Sequence, residues 1–338
     1  MQGRIENELK IEKHINELLS DMPAYVKEWY INLKASKKTM ASCKDYITKI
    51  KNFLNYLNPN VKDVSTCDIT IDKVELYFIS IQTKTDKNGE LVHTSDSYQQ
   101  TVWFALNNFF TFLKKRNYIS ENFMESIDKP KNKDLNRIQE ERILLTQRDF
   151  NKIIRATKNG VGTHRAKAFQ EKLKNRDMLI MLLFMTTGMR KTALSEINIQ
   201  DINLDTYTLK IVDKGNKTHY YPLGEIVQDY LDLWLIDRED FVENDNDALF
   251  ITTKGDRLTS SSISKLVEKY CEEGLGYKIS PHKLRSGFCS ILYNKTHDVE
   301  FVRRTVGHSN IATTQRYIKT DGDEKERAVK IISDSLRI

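Results

Sequence analysis

Six residues in the second half of the chain have the types and the order that chemistry on a nucleic-acid phosphate requires. Arginine, lysine and histidine side chains can surround a phosphodiester with positive charge and hydrogen-bond donors, and a tyrosine hydroxyl supplies a nucleophile. A phenol has a pKa of about 10, so this tyrosine needs nearby charge or a base in order to attack at neutral pH. The set suggests covalent chemistry without a metal ion. It consists of Arg190, Lys214, His282, Arg285, His308 and Tyr317.

The first two members of this set are weak signals when each is taken alone. Arg190 follows an apolar helix, and Gly188 suits the end of that helix, so an ordinary helix-end arginine explains it equally well. Lys214 lies in a predicted hairpin turn, where it can give a proton to a leaving oxygen. Lysines in turns are usually solvated, however, so neither residue indicates a function by itself.

The other four members lie on predicted helices or in turns. Ser280 and Pro281 predict the start of a helix that carries His282 and Arg285 on one face. His308 follows Gly307 in a predicted turn, and Tyr317 comes near the end of a short helix. Zinc is a rival explanation for the histidines, but no third ligand follows at the required spacing. The ordered set of six is therefore the signal.

The composition limits the class of protein. The chain has 338 residues, 39% of them hydrophobic and 30% charged, which predicts a globular protein of about two domains. A net charge of +6 is compatible with a polyanionic partner. The four cysteines are dispersed without a CxxC pair, which indicates no zinc site or disulfide framework and favours a reducing cytoplasm. The polar N-terminus does not resemble a signal peptide, and the longest apolar run is too short to span a membrane.

Apolar periodicity predicts a mostly α-helical protein with a small β-sheet. The first region shows several helical stripes and is expected to be all-helical. Thr39 and Thr146 are predicted N-caps, and the only clear β signal is the sequence YTLKIVD-KGNK-THYYPL, a hairpin in the second region. The predicted divisions are an N-terminal helix (1–20), a helical domain (21–128), a linker (129–145), a mixed α/β domain (146–320) and a C-terminal helix (321–338).

Four stretches of the chain resemble the tyrosine recombinases, the phage-integrase family that includes Xer recombinases and the integrases of mobile elements. They are TTGMRKTALSEINIQDIN, KGNKTHYYPL, SPHKLRSGF and VGHSNIATTQRYIKT. The resemblance implies that residues 21–128 form a helical, SAM-like core-binding domain and that residues 146–320 form the catalytic domain. It also implies site-specific DNA recombination without a cofactor.

The resemblance further implies a role for each of the six residues. Arg190 and Arg285 would bind the scissile phosphate, assisted by His308. His282 would take part in proton transfer, and Lys214 would protonate the departing 5′-oxygen. Tyr317 would form a 3′-phosphotyrosyl bond.

Two positions depart from the family pattern, and both lie close to catalytic arginines. Three residues after the first arginine the family commonly has an acid, where this chain has Ala193, with Glu196 one turn later. After the second arginine it commonly has histidine, where this chain has Ser286. Neither change removes a primary catalytic group, but both can alter how the phosphate site is held.

The implied partners are double-stranded DNA and further copies of the chain, as a homotetramer on two DNA sites. An accessory DNA-bending or directionality factor is compatible with this assignment, and no membrane partner is expected. Integration and excision of a mobile element is the preferred role, with Xer-type dimer resolution as the alternative. A catalytically silent DNA-binding relative and a type IB topoisomerase are the remaining rivals.

Overall fold

The computed structural model describes residues 2–86, 88–131, 145–213, 217–242 and 246–307. They form two compact units, one within residues 4–142 and a second drawn mainly from residues 143–338. Both units are mostly helical, as the sequence predicts, and the described residues of each contain one small antiparallel sheet.

In the described part of the first unit, five α-helices surround a core of aromatic and aliphatic side chains. Trp29, Phe53 and Phe109 are fully buried, and the indole Nε1 of Trp29 donates a hydrogen bond to Oδ1 of Asn108 at 3.0 Å. The helices are α1 (Gln2–Ser20), α2 (Ala24–Ala35), α3 (Met40–Leu57), α4 (Ile71–Ser80) and α5 (Asp96–Lys115), with 3-10 turns at Val61–Asp63, Thr66–Asp68 and Phe123–Glu125.

Local signals in the sequence account for where several of these helices begin. Thr39 is the N-cap of α3, and its hydroxyl accepts a hydrogen bond from the backbone N–H of Ser42 at 3.2 Å, which confirms the predicted cap. The apolar residues Ile15 and Leu19 of α1 are buried in the same core as the other helices. Helix α1 is thus held by side-chain packing within the first unit.

The expectation of an all-helical first region is wrong at one place. Strands β1 (Thr83–Thr85) and β2 (Leu91–His93) form an antiparallel hairpin, in which Thr83 pairs with His93. Its turn contains Gly89 at a φ of 85°, a conformation that glycine adopts without steric cost. The Asn-Gly turn signal is present in the sequence, but each strand is only three residues long and largely exposed, so no apolar alternation marks it.

The second unit consists of eight α-helices and one three-stranded sheet among the described residues. The strands follow the order β3-β4-β5, and all neighbours are antiparallel. The strands are β3 (Ile202–Asn203), β4 (Thr208–Asp213) and β5 (Lys217–Pro222). The helices are α6 (Gln147–Asn159), α7 (His164–Glu171), α8 (Lys174–Thr187), α9 (Lys191–Ser195), α10 (Glu225–Arg238), α11 (Ser260–Leu275), α12 (Pro281–Thr296) and α13 (Val299–Val306). Two 3-10 turns lie at Ile199–Asp201 and Glu239–Phe241.

Helix α8 forms the centre of this unit. Every residue from Arg176 to Met185 is buried, and the helix packs against α6, α10 and α12. The apolar run in the sequence is therefore a buried helix, as predicted. Its first turn contains a buried ion pair, in which Arg176 Nη2 lies 2.7 Å from Asp177 Oδ1. The hydroxyl of Tyr270 on α11 donates to the other oxygen of Asp177 at 2.7 Å and completes its hydrogen bonding.

Two further predictions for the second unit are confirmed and one strand was missed. Thr146 caps α6 through a reciprocal capping box with Asp149, and the predicted hairpin is β4 and β5. The backbone hydrogen bond from Thr146 lowers the pKa of the Asp149 carboxyl below its ordinary value. Strand β3 has only two residues, too few to produce an alternating pattern.

Two general features complete the description. All four cysteines of the chain are free thiols. Across the described ranges, no helix is long and apolar enough to cross a membrane.

Candidate active site

A left-handed glycine ends α8 and turns the chain toward the candidate site. Gly188 is the C-cap of α8 at a φ of 61°, and its N–H donates to the carbonyl oxygen of Phe184 at 3.1 Å. Met189 is then buried, and Arg190 occupies the N-cap of α9 in an extended conformation. Arg190 is half-buried and directly follows a residue of the core.

Helix α12 carries the other two predicted site residues that the structure describes. The helix begins at Pro281 with Ser280 at the N-cap, as predicted, and it places His282 and Arg285 in its first turns. The two side chains differ in environment, because His282 is exposed whereas Arg285 is only 3% exposed. The predicted helix face therefore extends from solvent into the core.

The guanidinium of Arg285 connects two elements that are distant in the sequence. Its Nη1 donates to the carbonyl oxygen of Gly188 at 2.6 Å, and its Nη2 donates to the carbonyl oxygen of Val306 at 2.6 Å. One side chain thus holds the end of α8 and the end of α13 together. A fork of fixed donors suits this task, and lysine cannot reproduce it.

Arg190, His282 and Arg285 all line one cleft of about 680 Å³. Lys191, Ser264 and Glu268 line the same cleft, and Lys191 Nζ donates to Ser264 Oγ at 3.1 Å. Three arginine or lysine side chains and a histidine therefore face a common space that contains the carboxylate of Glu268 as well. Such a concentration of positive charge and donors can bind an anion with several oxygens, as a phosphodiester has.

Strand β5 adds two residues that the sequence reasoning did not select. His219 and Tyr221 are half-buried on one face of the strand, whereas Thr218 and Tyr220 are exposed on the other. The His219 and Tyr221 ring centroids are 6.4 Å apart. Burial raises the pKa of Tyr221, and the charges of Arg285 and Arg190 partly oppose this increase. The sequence places both residues in the predicted hairpin, but no local pattern distinguishes them from their neighbours.

The cysteine on the buried side of α12 is chemically inert. Cys289 lies one turn after Arg285 and is fully buried. Burial raises the pKa of its thiol to about 11, although the positive charge of Arg285 acts in the opposite direction. The thiol is therefore neutral and unreactive at physiological pH.

Three predicted site residues, Lys214, His308 and Tyr317, lie outside the described residues, as does the predicted C-terminal helix. The structure does describe what precedes two of them. Lys214 follows β4 directly, and β5 begins three residues later. His308 follows Gly307, the left-handed C-cap of α13 at a φ of 67°.

The two departures from the expected pattern have defined surroundings. Ala193 is 7% exposed in α9, where its small side chain packs in the core of the unit. Ser286 Oγ donates to the carbonyl oxygen of His282 at 3.0 Å, within α12. The serine therefore satisfies its hydroxyl locally. Within the part of the chain that the structure describes, no three His, Cys, Asp or Glu side chains form a group that could bind a metal ion.

Comparison with known families agrees with this architecture. The model of the phage integrase family matches residues 143–324, which is more than half of the chain and includes all six predicted site positions. The chain belongs to the phage integrase family.

Two curated relatives show how far the sequence similarity extends. A tyrosine recombinase XerC from Shewanella sp. (strain ANA-3) is 34% identical over 147 residues, which are 43% of this chain and 49% of the relative. The chain thus spans about half the length of such relatives. A tyrosine recombinase XerS from Streptococcus agalactiae serotype III (strain NEM316) is 25% identical over 358 aligned positions, covering 96% of this chain and 99% of the relative.

A solved structure shows that the fold is shared as well. The XerH site-specific recombinase, determined bound to its difH substrate in a pre-cleavage complex, aligns with a TM-score of 0.62 at 23% identity. The alignment covers 88% of this chain and 81% of the XerH chain. Most of the chain therefore shares the fold of XerH.

Proposed function

We propose that this protein is a site-specific DNA recombinase, an enzyme that cuts and rejoins DNA through a 3′-phosphotyrosyl intermediate on Tyr317. The observation that carries the proposal is the cleft in which Arg190, His282 and Arg285 meet. These residues come from two separate parts of the chain, and the arginines belong to elements joined by the Arg285 guanidinium. Such a site suits a phosphodiester between nucleotides better than a small neutral ligand.

The proposed reaction transfers the phosphoryl group from the 5′-oxygen of the DNA to Tyr317, so that one phosphodiester bond is replaced by another. The hydroxyl oxygen of Tyr317 attacks phosphorus while His282 accepts its proton, and the bond between phosphorus and the 5′-oxygen breaks. The 5′-oxygen leaves with a proton from Lys214. Arg190, Arg285 and His308 stabilise the charge that develops on the non-bridging oxygens. Attack by the 5′-hydroxyl of another strand reverses these steps and rejoins the DNA.

The proposed partners follow from this chemistry. The substrate is double-stranded DNA, and exchange of strands between two duplexes requires cleavage at several positions, which a homotetramer on two sites provides. We propose the cytoplasm as the compartment because the dispersed cysteines favour a reducing environment. Integration and excision of a mobile element is the preferred role, with an accessory DNA-bending or directionality factor, and Xer-type dimer resolution is the alternative.

The decisive experiment is covalent capture of DNA. The protein is mixed with fragmented DNA from its source and denatured, and the DNA that remains attached is sequenced. We expect adducts at a discrete site for the wild type and none for Tyr317→Phe, which lacks only the nucleophilic oxygen. Tyr220→Phe is the matched control, since Tyr220 is 66% exposed on the outer face of β5. It should form adducts as the wild type does.

The rival functions predict different results in the same experiment. An architectural DNA-binding relative would bind DNA, give no adduct and behave identically with Phe at position 317. A type IB topoisomerase would form adducts at many positions rather than as paired cleavages at one site. Either result would refute the proposal of a site-specific recombinase.

A further inference from the structure

We propose that His219 is a positioning residue, whose imidazole ring packs on Gly307 and fixes the turn that presents His308 to the scissile phosphate. This inference rests on the proposed function and goes beyond the six residues of the expected site. It assigns a task in the reaction to a side chain of the sheet. No part of it requires His219 itself to touch the DNA.

The contact between the ring and the glycine is close. A Cβ atom placed on Gly307 would lie 2.8 Å from Cε1 and 2.9 Å from Nε2 of His219. These distances are shorter than any real carbon contact, so the ring occupies the space that a side chain at position 307 would need. Gly307 also has a φ of 67°, which other residues adopt only with strain. A side chain at position 307 would therefore displace the imidazole ring and also strain the backbone.

The turn is held from a second side by Arg285. Its Nη2 donates to the carbonyl oxygen of Val306 at 2.6 Å, and Val306 is the last residue of α13. The N–H of Gly307 donates back to the carbonyl oxygen of Arg304 at 3.1 Å. Helix α12 and strand β5 thus fix the same two residues, Val306 and Gly307, from different elements. The next residue in the chain is His308.

Because one peptide bond separates Gly307 from His308, the direction in which the chain leaves the turn depends on the conformation of Gly307. Removing the His219 ring leaves an open space beside a residue that has no side chain of its own to fill it. The turn can then sample other conformations. Catalysis is sensitive to such changes, since displacement of a catalytic group by about 1 Å can cost roughly a hundredfold in rate.

A change at His219 could also affect the reaction through the hairpin that contains Lys214, and this effect must be distinguished from an effect on the turn at Gly307. Strand β5 begins shortly after Lys214, so a change at His219 could instead displace the hairpin. The geometry favours the turn, since the imidazole ring of His219 occupies the space where a Cβ atom of Gly307 would lie. We therefore assign the effect to the turn and to His308.

The first test compares His219→Ala and His219→Gln with the wild type on a duplex that carries the captured cleavage site. The rate of adduct formation at saturating DNA and the affinity for DNA are measured separately. We expect His219→Ala to lower the rate about 10- to 100-fold with little change in affinity. Glutamine, whose planar amide can reach the position of Nε2, should restore most of the rate. Thr218→Ala, on the exposed face of β5, is the matched control and should equal the wild type.

The second test separates the turn from the Lys214 hairpin. A duplex with sulfur in place of the 5′-bridging oxygen releases a thiolate, which needs no proton from a general acid. The defect of His219→Ala should persist on this substrate. Recovery to the wild-type rate would show that His219 acts through Lys214 and would overturn the inference.

The third test needs no catalysis. Gly307→Ala should destabilise the wild type more than it destabilises the His219→Ala variant, because the new methyl group collides with the imidazole only when the ring is present. Urea unfolding of the four proteins measures this difference, and equal effects in both backgrounds would refute the contact. If the wild type formed no adduct at all, the proposed function would fail while this comparison still tested the contact.

Discussion

The guanidinium of Arg285 is almost fully buried, and each of its Nη atoms donates to a backbone carbonyl oxygen, one at Gly188 and one at Val306. These carbonyls belong to the two turns that lead to Arg190 and to His308. The same side chain is expected to bind the scissile phosphate. A buried residue at this position therefore stabilises the fold and defines the geometry of the site, which makes it sensitive to even conservative replacement.

Replacement of Arg285 with lysine should reveal both tasks. A single ammonium group cannot donate to two separated carbonyls and also face a phosphate in a fixed fork. We expect adduct formation to fall by about a hundredfold or more, and the free energy of unfolding to fall by about 1–3 kcal/mol as a buried acceptor loses its donor. Arg155→Lys, at an exposed position on α6, is the control and should change the unfolding free energy by less than about 0.5 kcal/mol. Equal behaviour of the two variants would contradict the structural role.

At the scale of secondary-structure elements, the site depends on how three helices end or begin. Helix α8 ends at Gly188, helix α13 ends at Gly307, and α12 begins at Pro281. Both glycines are left-handed, and a neighbouring ring packs on each of them, Phe288 on Gly188 and His219 on Gly307. The turns are therefore fixed by packing across elements as well as by local backbone preference.

Gly188→Ala should test this packing. A methyl group there would collide with Cδ1 of Phe288, in addition to the strain of a left-handed alanine. Gly276→Ala is the control, since Gly276 has a φ of 82° with nothing within 4 Å of the added methyl group. We expect the control to lose about 1 kcal/mol of unfolding free energy and Gly188→Ala to lose roughly 1–3 kcal/mol more, measured in urea. Equal losses would show that Phe288 moves aside freely.

Helix α13 carries a partly exposed ion-pair cluster whose pH dependence can be predicted. Hydrogen bonds from Arg303 and Arg304 lower the pKa of the Glu300 carboxyl to about 2, below its ordinary value of 4.5. A folded-state pKa below the unfolded one contributes stability that is complete above about pH 4.5 and is lost as the pH falls to about 2. The melting temperature of the wild type should therefore exceed that of Glu300→Gln near neutral pH. This difference in melting temperature should disappear as the pH falls from about 4.5 to about 2. A gap that is independent of pH would contradict the pairing.

At the scale of the whole molecule, each of the two units has its own hydrophobic core, and the chain carries a net charge of +6. Exposed basic side chains occur in the first unit, for example Lys37, Lys115 and Arg116. Such side chains neutralise backbone phosphates without reading the base sequence. Under the proposed function, they provide a general attraction to DNA, whereas the cleft of the second unit provides the chemistry.

The affinity for DNA should therefore depend steeply on salt. Each neutralised phosphate adds about 0.9 to the slope of log affinity against log salt, so we expect a fall of about a hundredfold or more between about 50 and 200 mM salt. The measurement is best made with Tyr317→Phe, which separates binding from cleavage. A nearly constant affinity over this range would show that phosphate contacts are few.

The sequence by itself determined the local structure and the order of the candidate residues. Capping at Thr39 and Thr146, the end of α8 at Gly188 and the start of α12 at Pro281 depend on residues a few positions apart, and the structure agrees with all of them. The β1-β2 hairpin was missed, since short and exposed strands leave no pattern of burial.

Only the tertiary structure decided which side chains meet. Arg285 and Gly188 are 97 residues apart, yet the guanidinium of one donates to the carbonyl of the other. His219 gave no signal of its own, because its contact with Gly307 depends on how β5 packs beside the end of α13. Local patterns reflect interactions within one or two turns of the chain, whereas convergence of distant residues depends on how the apolar faces of whole elements pack together.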